Sequence, residues 1–341
     1  MPTMLQPGAL SPTWRVDLGE FVSTVAWSPD GTAAAAGSLS GAALLLSTRD
    51  GQVVQKLTDH PLGVLALSFS PASGRLAVGG QDGLLRIYDL ATGLDTAHTC
   101  GAWVQALAWA PDGATVAAGA GRDLVVVADD GTERASWSDV PSTITSVAWA
   151  TNGQRVAAGC YGGPRWYEPG APGATAKVFD WKGSILTLAV APNGKWLAAG
   201  NQDNSVHIWR LWSADDLQMS GYPAKVEAIA WDPTSRFLAV GSVGDVTIWD
   251  FSGRGPRGST PVVLDGFSRR VTVVRYQHRG RRLAAGSADG LIVVWEPARH
   301  TLPIQVVGTD DEVSALEWSP DDTRLLFGTA SGDVGVIDVP G

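Results

Sequence analysis

Few residue groupings in this chain could do chemistry, and spacing decides what each could be. "GSLSG" (37–41) has the glycines and serine of a nucleophile elbow, the strained turn that presents a catalytic serine. Its third residue is Leu39, so no serine stands where a G-x-S-x-G turn would expose one. "YGGPRW" (161–166) and "GRGPRG" (253–258) are glycine-rich enough to bring backbone N–H groups to a phosphate. Neither has the spacing of a phosphate loop, and no helical pattern follows. His98 and Cys100 stand two apart, which on a strand puts both on one face, but a zinc site needs further ligands. His60, His207, His278 and His300 are scattered along the chain. The acidic groups "ADD" (128–130), "SADD" (213–216) and "GTDD" (308–311) read as solvated turns rather than metal loops. No catalytic constellation, metal or cofactor is expected.

Composition narrows the class. The 341 residues are 45% hydrophobic and 17% charged, the profile of a folded chain. Forty-one glycines suit a chain that turns often and argue against a helical bundle. A formal net charge of -9 argues against a general nucleic-acid binder. Two cysteines, Cys100 and Cys160, are too few for a disulfide framework. "MPTMLQPGALSPTW" has no basic patch leading into an apolar core, and no run reaches the ~18 apolar residues of a membrane span. A cytoplasmic protein without membrane contact is expected, with a monomer as the default.

The elements that would position any site come from a repeat. "VAWSPDG" (25–31) returns as "LSFSPASG" (67–74), "LAWAPDG" (107–113), "VAWATNG" (147–153) and "LAVAPNG" (188–194). It continues as "IAWDPTS" (229–235), "VRYQHRG" (274–280) and "LEWSPDD" (316–322). The anchors are Trp27, Phe69, Trp109, Trp149, Val190, Trp231, Tyr276 and Trp318, each 40–45 residues after the last. Every unit reads as a strand, a Pro-Asp-Gly-like turn, a second strand such as "LAVGG", a third such as "DVTIWD", and a more polar fourth. Proline presets φ in that turn and glycine accepts positive φ. Four strands per unit of ~40 residues is the arithmetic of a propeller blade. Nearly continuous apolarity in the first two strands fits strands covered on both faces by neighbouring blades.

These units resemble the WD40 repeat family over about residues 14–341. The residues carrying the resemblance are Trp249-Asp250, weaker versions at Tyr88-Asp89, Trp209-Arg210 and Trp295-Glu296, and the repeated "SPDG" turn. The resemblance implies an all-β, eight-bladed propeller with four antiparallel strands per blade. Domain organisation would be a tail at 1–12 and a single propeller at 13–341. The last unit ends after its third strand, so "TWRVDL" (13–18) is expected to supply the fourth and close the ring, removing an exposed edge.

Departures from the family pattern are informative. The family's Gly-His before a first strand supplies a histidine to a buried hydrogen-bonded group with an aspartate, a Ser/Thr and the tryptophan. Only His60 offers this here, with Asp82 as partner and Tyr88 in place of the tryptophan. Cys100, Val140, Trp181, Tyr222, Phe267 and Thr309 stand at the equivalent place in other units. Trp181, Tyr222 and Phe267 either fill those vacated sites or lie exposed. The fourth unit, "CYGGPRWYEPGAPGATAK" (160–177), is the least regular and predicts an extended loop after its third strand.

What the resemblance implies for function is a scaffold without enzymatic activity. A protein or peptide partner would dock on the face bearing the loops before first strands and after second strands. Its rim residues are Phe21, Gly63, Trp103, Thr143, Ser184, Lys225, Arg270 and Glu312, with Gln81, Arg122, Tyr161, Trp181, Asn201, Tyr222 and Phe267 nearby. Aromatic and arginine residues dominate binding hot spots, so Trp103, Tyr161, Trp181 and Tyr222 are expected to form a partly exposed arc over consecutive blades, with Trp103 and Arg270 singled out for exposure. A basic cluster in units six and seven divides between faces: Arg254, Arg257, Arg279 and Arg281 towards the opposite side, Arg269 and Arg270 on the docking side, with Arg275 and Arg282 also in the cluster. Such a cluster could take an acidic partner or a phosphate group. The alternatives are an accessory factor of an enzyme or metal-handling partner, and a propeller enzyme with a loop-borne site.

Overall fold

In a computed structural model, which describes residues 11–340 apart from 73, 214 and 254, each Pro-Asp-Gly-like segment is a reversal between two strands. Its last residue has positive φ in blade after blade, as at Gly31 (φ 73), Gly113 (φ 71) and Gly194 (φ 66). Ser235 and Asp322 hold the same conformation without the freedom of glycine. The turn of the seventh unit, "QHRG", has no such residue and is held from the next blade instead. Asp322 accepts the backbone N–H groups of His278, Arg279 and Gly280 at 2.7–3.2 Å.

The strands between these turns make eight antiparallel four-stranded units. Blade 1 runs through Val22–Trp27, Ala33–Ser38, Ala43–Ser47 and Val53–Lys56. Blades 2 to 5 repeat the order, with first strands at Val64–Phe69, Val104–Trp109, Ser146–Trp149 and Ile185–Val190. Blades 6 and 7 are joined, because one strand, Val262–Tyr276, ends the first and begins the second. Arg269 and Arg270, expected in a loop, therefore lie within a strand, and Arg270 pairs with Val243.

Blade 8 contributes Val313–Trp318, Arg324–Thr329 and Asp333–Asp338, and its fourth strand is Trp14–Asp17 from the other end of the chain. The register runs from Trp14 opposite Val336 to Asp17 opposite Asp333. The ring therefore closes as the sequence expects.

Alternation along the strands puts apolar side chains between blades, and eight separate core clusters result, one per blade–blade interface. The anchoring tryptophans tie these interfaces. Each indole N–H donates to a carbonyl on the first strand of the preceding blade: Trp27 to Glu317, Trp109 to Ser68, Trp149 to Ala108, Trp231 to Ala189 and Trp318 to Arg275, at 2.8–3.2 Å. A second set runs the other way. The hydroxyls of Ser23, Thr145, Thr272 and Ser314 donate to the carbonyl at the start of the next first strand. The irregular fourth blade has a short third strand, Arg165–Tyr167, and then the expected loop, which folds back so that Trp137 of blade 3 donates to the Pro172 carbonyl at 3.0 Å. No helix is long and apolar enough to cross a membrane.

Candidate docking face

The rim residues lie just before the first strands, except Arg270, which is inside the long strand shared by blades 6 and 7. Carbonyls of Phe21, Gly63, Trp103, Ser184, Arg270 and Glu312 accept from Leu39, Gln81, Gly121, Gln202, Ala288 and Ala330, in the loop after the second strand of the same blade. Both kinds of loop thus share one face and brace each other.

Trp103, Arg122 and Tyr161 form a connected patch on that face across blades 3 and 4. The Trp103 carbonyl accepts from Gly121 N, the Arg122 Nε donates to the Val140 carbonyl at 2.9 Å, and the Tyr161 N–H donates to Ser142 Oγ at 2.8 Å. Their backbones and the arginine stem are thereby fixed, while Trp103 and Tyr161 are 55% and 56% exposed. Leu39 and Leu62, 41% and 61% exposed, extend apolar surface into blades 1 and 2. Sequence reasoning passed over both leucines, although each occupies a loop position where a polar residue would be ordinary.

Other expected members of the face are placed differently. Tyr222 is half-buried, and its hydroxyl lies 3.2 Å from Thr247 Oγ1 and accepts the Trp249 indole N–H at 3.0 Å. It thus occupies the hydrogen-bonding place of a missing histidine, and burial raises its pKa. Trp181 is half-buried and stacks on His207, with ring centroids 4.2 Å apart. His207 stacks in turn on Trp209, and its Nε2 meets Asp216 Oδ2 at 2.6 Å. Burial lowers the His207 pKa, with Asp216 opposing the shift. Phe267 is buried edge-on against Trp295. All three aromatics therefore fill interior positions.

His60 is fully buried and pairs with Asp82 through Nδ1 at 2.9 Å. Tyr88 does not complete the group, because its hydroxyl donates to the Thr58 carbonyl. Gly80 stands against the imidazole, where an added Cβ would lie 2.3 Å from His60 Nδ1, and Nε2 has no partner.

Toward blades 6 to 8 the rim is charged and internally paired. Lys225 Nζ meets Glu227 at 2.7 Å, while Arg270 bridges Glu227 at 3.1 Å and Glu312 at 2.7 Å. Phe21 is half-buried. Arg257, Arg279 and Arg281 lie at exposed positions in turns of the opposite face, and Arg254 falls outside the described residues. His98 pairs with Glu133 and does not converge with Cys100, whose thiol is pushed up to about 12 by burial. Among the described residues, no group of three or more His, Cys, Asp or Glu could hold a metal.

A site the motif reading did not find lies in the central channel. The residue before each anchor is Ala26, Ser68, Ala108, Ala148, Ala189 and Ala230 in six blades but Arg275 and Glu317 in blades 7 and 8, and Ala26, Ser68, Arg275 and Glu317 line a cavity at the channel's mouth. The aligned repeats carry that break in the column before the anchor.

Closed ring, four-stranded blades and tryptophan ties define a β-propeller. The WD40 family model (WD domain, G-beta repeat) matches residues 51–89, 92–132, 175–210 and 258–296. Each match begins at the outer strand of one blade and ends at the third strand of the next. The chain thus carries WD40 repeats at these four stretches of a β-propeller. It is 29% identical over 180 residues to a ribosome biogenesis protein WDR12 homolog of Drosophila sechellia, covering 47% of this chain and 41% of that one. It is 27% identical over 165 residues to eukaryotic translation initiation factor 3 subunit I of Emericella nidulans, covering 44% and 48%. The matched part spans less than half the length of these curated relatives. Among solved structures, Sqt1 from Chaetomium thermophilum has a TM-score of 0.84 at 17% identity, covering 96% of this chain and 99% of that one. The computationally designed Ika8 protein has a TM-score of 0.80 at 19% identity, with the same coverage.

Proposed function

We propose that this propeller is a non-enzymatic scaffold that holds a protein or peptide partner on the rim face of blades 1 to 4. The observation that carries this is the fixed, exposed patch of Trp103, Arg122 and Tyr161, continued by Leu39 and Leu62. Large aromatics on a rigid backbone bury much area at small entropic cost, and arginine adds directed hydrogen bonds. The relatives support the same class of role, since one is a subunit of an initiation factor and the other a ribosome biogenesis protein. Membership in a multi-protein assembly is the corresponding reading for this chain. The paired ions of blades 6 to 8 would sit at the edge of such a contact and steer it rather than supply most of its affinity.

The test is affinity capture with wild type, Trp103→Ala, Tyr161→Ala and Trp212→Ala. Trp212 is a suitable control because it is 64% exposed in a loop of the opposite face. Loss of the same partner in the first two variants, with retention in the third, supports the assignment; retention in all three refutes it.

A further inference from the structure

The channel mouth on the face of the Pro-Asp-Gly turns presents an unneutralised cation at its end. A cavity of ≈ 510 Å³ opens there, walled by the prolines Pro29, Pro71 and Pro320 and by Phe69, with Arg275 and Glu317 inside. A second cavity of ≈ 200 Å³ continues towards the rim face, and Arg275 lines both. The small residues of the six other blades leave open the space into which these two side chains project.

Arg275 makes one hydrogen bond, from Nη1 to the neighbouring Val274 carbonyl at 2.9 Å. No carboxylate lies within ion-pair distance of it among the described residues. Glu317, on the adjacent first strand, is engaged elsewhere: its Oε2 accepts the Trp27 backbone N–H at 2.8 Å. The two feel each other's charge without touching; desolvation disfavours the charged form of the half-buried Glu317, while the Arg275 side chain stays solvent-accessible in the channel. Arg279 sits at the mouth, and among the described residues its guanidinium has no ion pair. His278 beside it meets Asp322 at 3.0 Å. A guanidinium presents a planar fork of donors suited to oxygen pairs, and enclosure by protein strengthens such a contact relative to open water.

We propose that this channel mouth binds one carboxylate or phosphate group, held by Arg275 and drawn in by Arg279. The site lies on the face opposite the proposed docking patch and stands independently of it. A free phosphate and the terminal carboxylate of a peptide share the required chemistry.

Isothermal titration of the full chain at low ionic strength tests this with three probes: inorganic phosphate, acetyl-Gly-Gly-Gly with a free carboxylate, and the same peptide as its amide. Saturable one-to-one binding of phosphate or of the acid peptide, but not of the amide, is expected; phosphate alone identifies a free anion as the source, and the acid peptide a chain terminus. Arg275→Ala should weaken binding roughly tenfold or more, as expected for loss of a charge-assisted contact. That variant installs the residue found at five equivalent positions, so its fold should survive, and its melting temperature checks this. Glu317→Gln, which removes a competing negative charge, should tighten binding. No saturable binding of any probe, or equal binding by wild type and Arg275→Ala, overturns the proposal.

Discussion

Trp14→Ala tests whether ring closure contributes to stability. Trp14 is 6% exposed, in the core between blades 8 and 1 with Leu46, Val334 and Val336. Gly51 faces its ring so closely that an added Cβ would lie 2.7 Å from it, and the indole N–H donates to the Thr48 carbonyl at 3.0 Å. Truncating a buried tryptophan costs about 3–5 kcal/mol. The lost hydrogen bond adds little, since Arg324 Nη1 still donates to the Thr48 carbonyl at 3.1 Å. At about 2.1 cal/mol/K of unfolding entropy per residue, a loss of about 4 kcal/mol lowers the melting temperature of a cooperative chain this long by about 5–6 °C. If the four-residue strand instead detaches locally, the same energy raises its open population by about three decades. Arg15, held in that strand by Asp333 and Asp310, is then exposed to trypsin. Calorimetry and timed trypsin digestion read the two outcomes separately. A melting temperature within about 1 °C of wild type, together with unchanged cleavage at Arg15, would refute the closure argument.

Other outcomes follow from individual contacts. Tyr222→Phe removes the acceptor of the Trp249 indole N–H and should cost about 1–3 kcal/mol by urea unfolding, whereas Tyr222→His should recover part of that. Trp103→Ala should leave the urea midpoint nearly unchanged, within about 0.5 kcal/mol, because its side chain is mostly exposed. Gly163→Ala should destabilise strongly, since φ is +98 and the added Cβ would lie 1.9 Å from the Phe179 carbonyl oxygen. Glu317, raised by burial from 4.5 to about 7, binds its proton more tightly when folded. Its contribution to stability is therefore greatest below pH 4.5 and is lost as pH rises through 7. Glu317→Gln should lack that decline when urea midpoints are compared at acidic and alkaline pH.

The fold was legible because its signals repeat. One Trp-Ser-Pro-Asp-Gly segment says little, but eight in phase determine strand, turn and blade, and the ring follows once the spare strand at 13–18 is matched to the incomplete last unit. Blade 6 runs into blade 7 without a loop, which the sequence does not show because "DGFSRR" (265–270) has the composition of a turn. The face was legible less well. Trp103 stands in the rim column directly before its first strand and is exposed, whereas Trp181 and Tyr222 stand three positions earlier, in the column of His60 and Cys100, and turn inward to half-buried places. Their partners lie on the third strand of the blade each one leads into: Tyr222 finds Thr247 and Trp249, and Trp181 finds His207. Those partners are some twenty-five residues further along the same unit, so no local pattern around the aromatic carries them.

The channel shows where a repeat is most informative about function. In a ring built by repetition, equivalent positions meet equivalent environments, so packing alone should favour similar residues at each. The column before the anchor follows that rule in six blades, because a small residue lets the first strands face a narrow shared space. Arg275 and Glu317 break it on adjacent blades, and the half-buried Glu317 does so at a cost in desolvation. A direct ion pair would have been the simplest way to reduce that cost. Glu317 bonds Trp27 instead, and Arg275 keeps donors open to the channel. A stability role for the pair predicts that Arg275→Ala lowers the melting temperature; a binding role predicts that it leaves the fold intact or firmer and removes the anion. Measuring both quantities on that one variant decides between them.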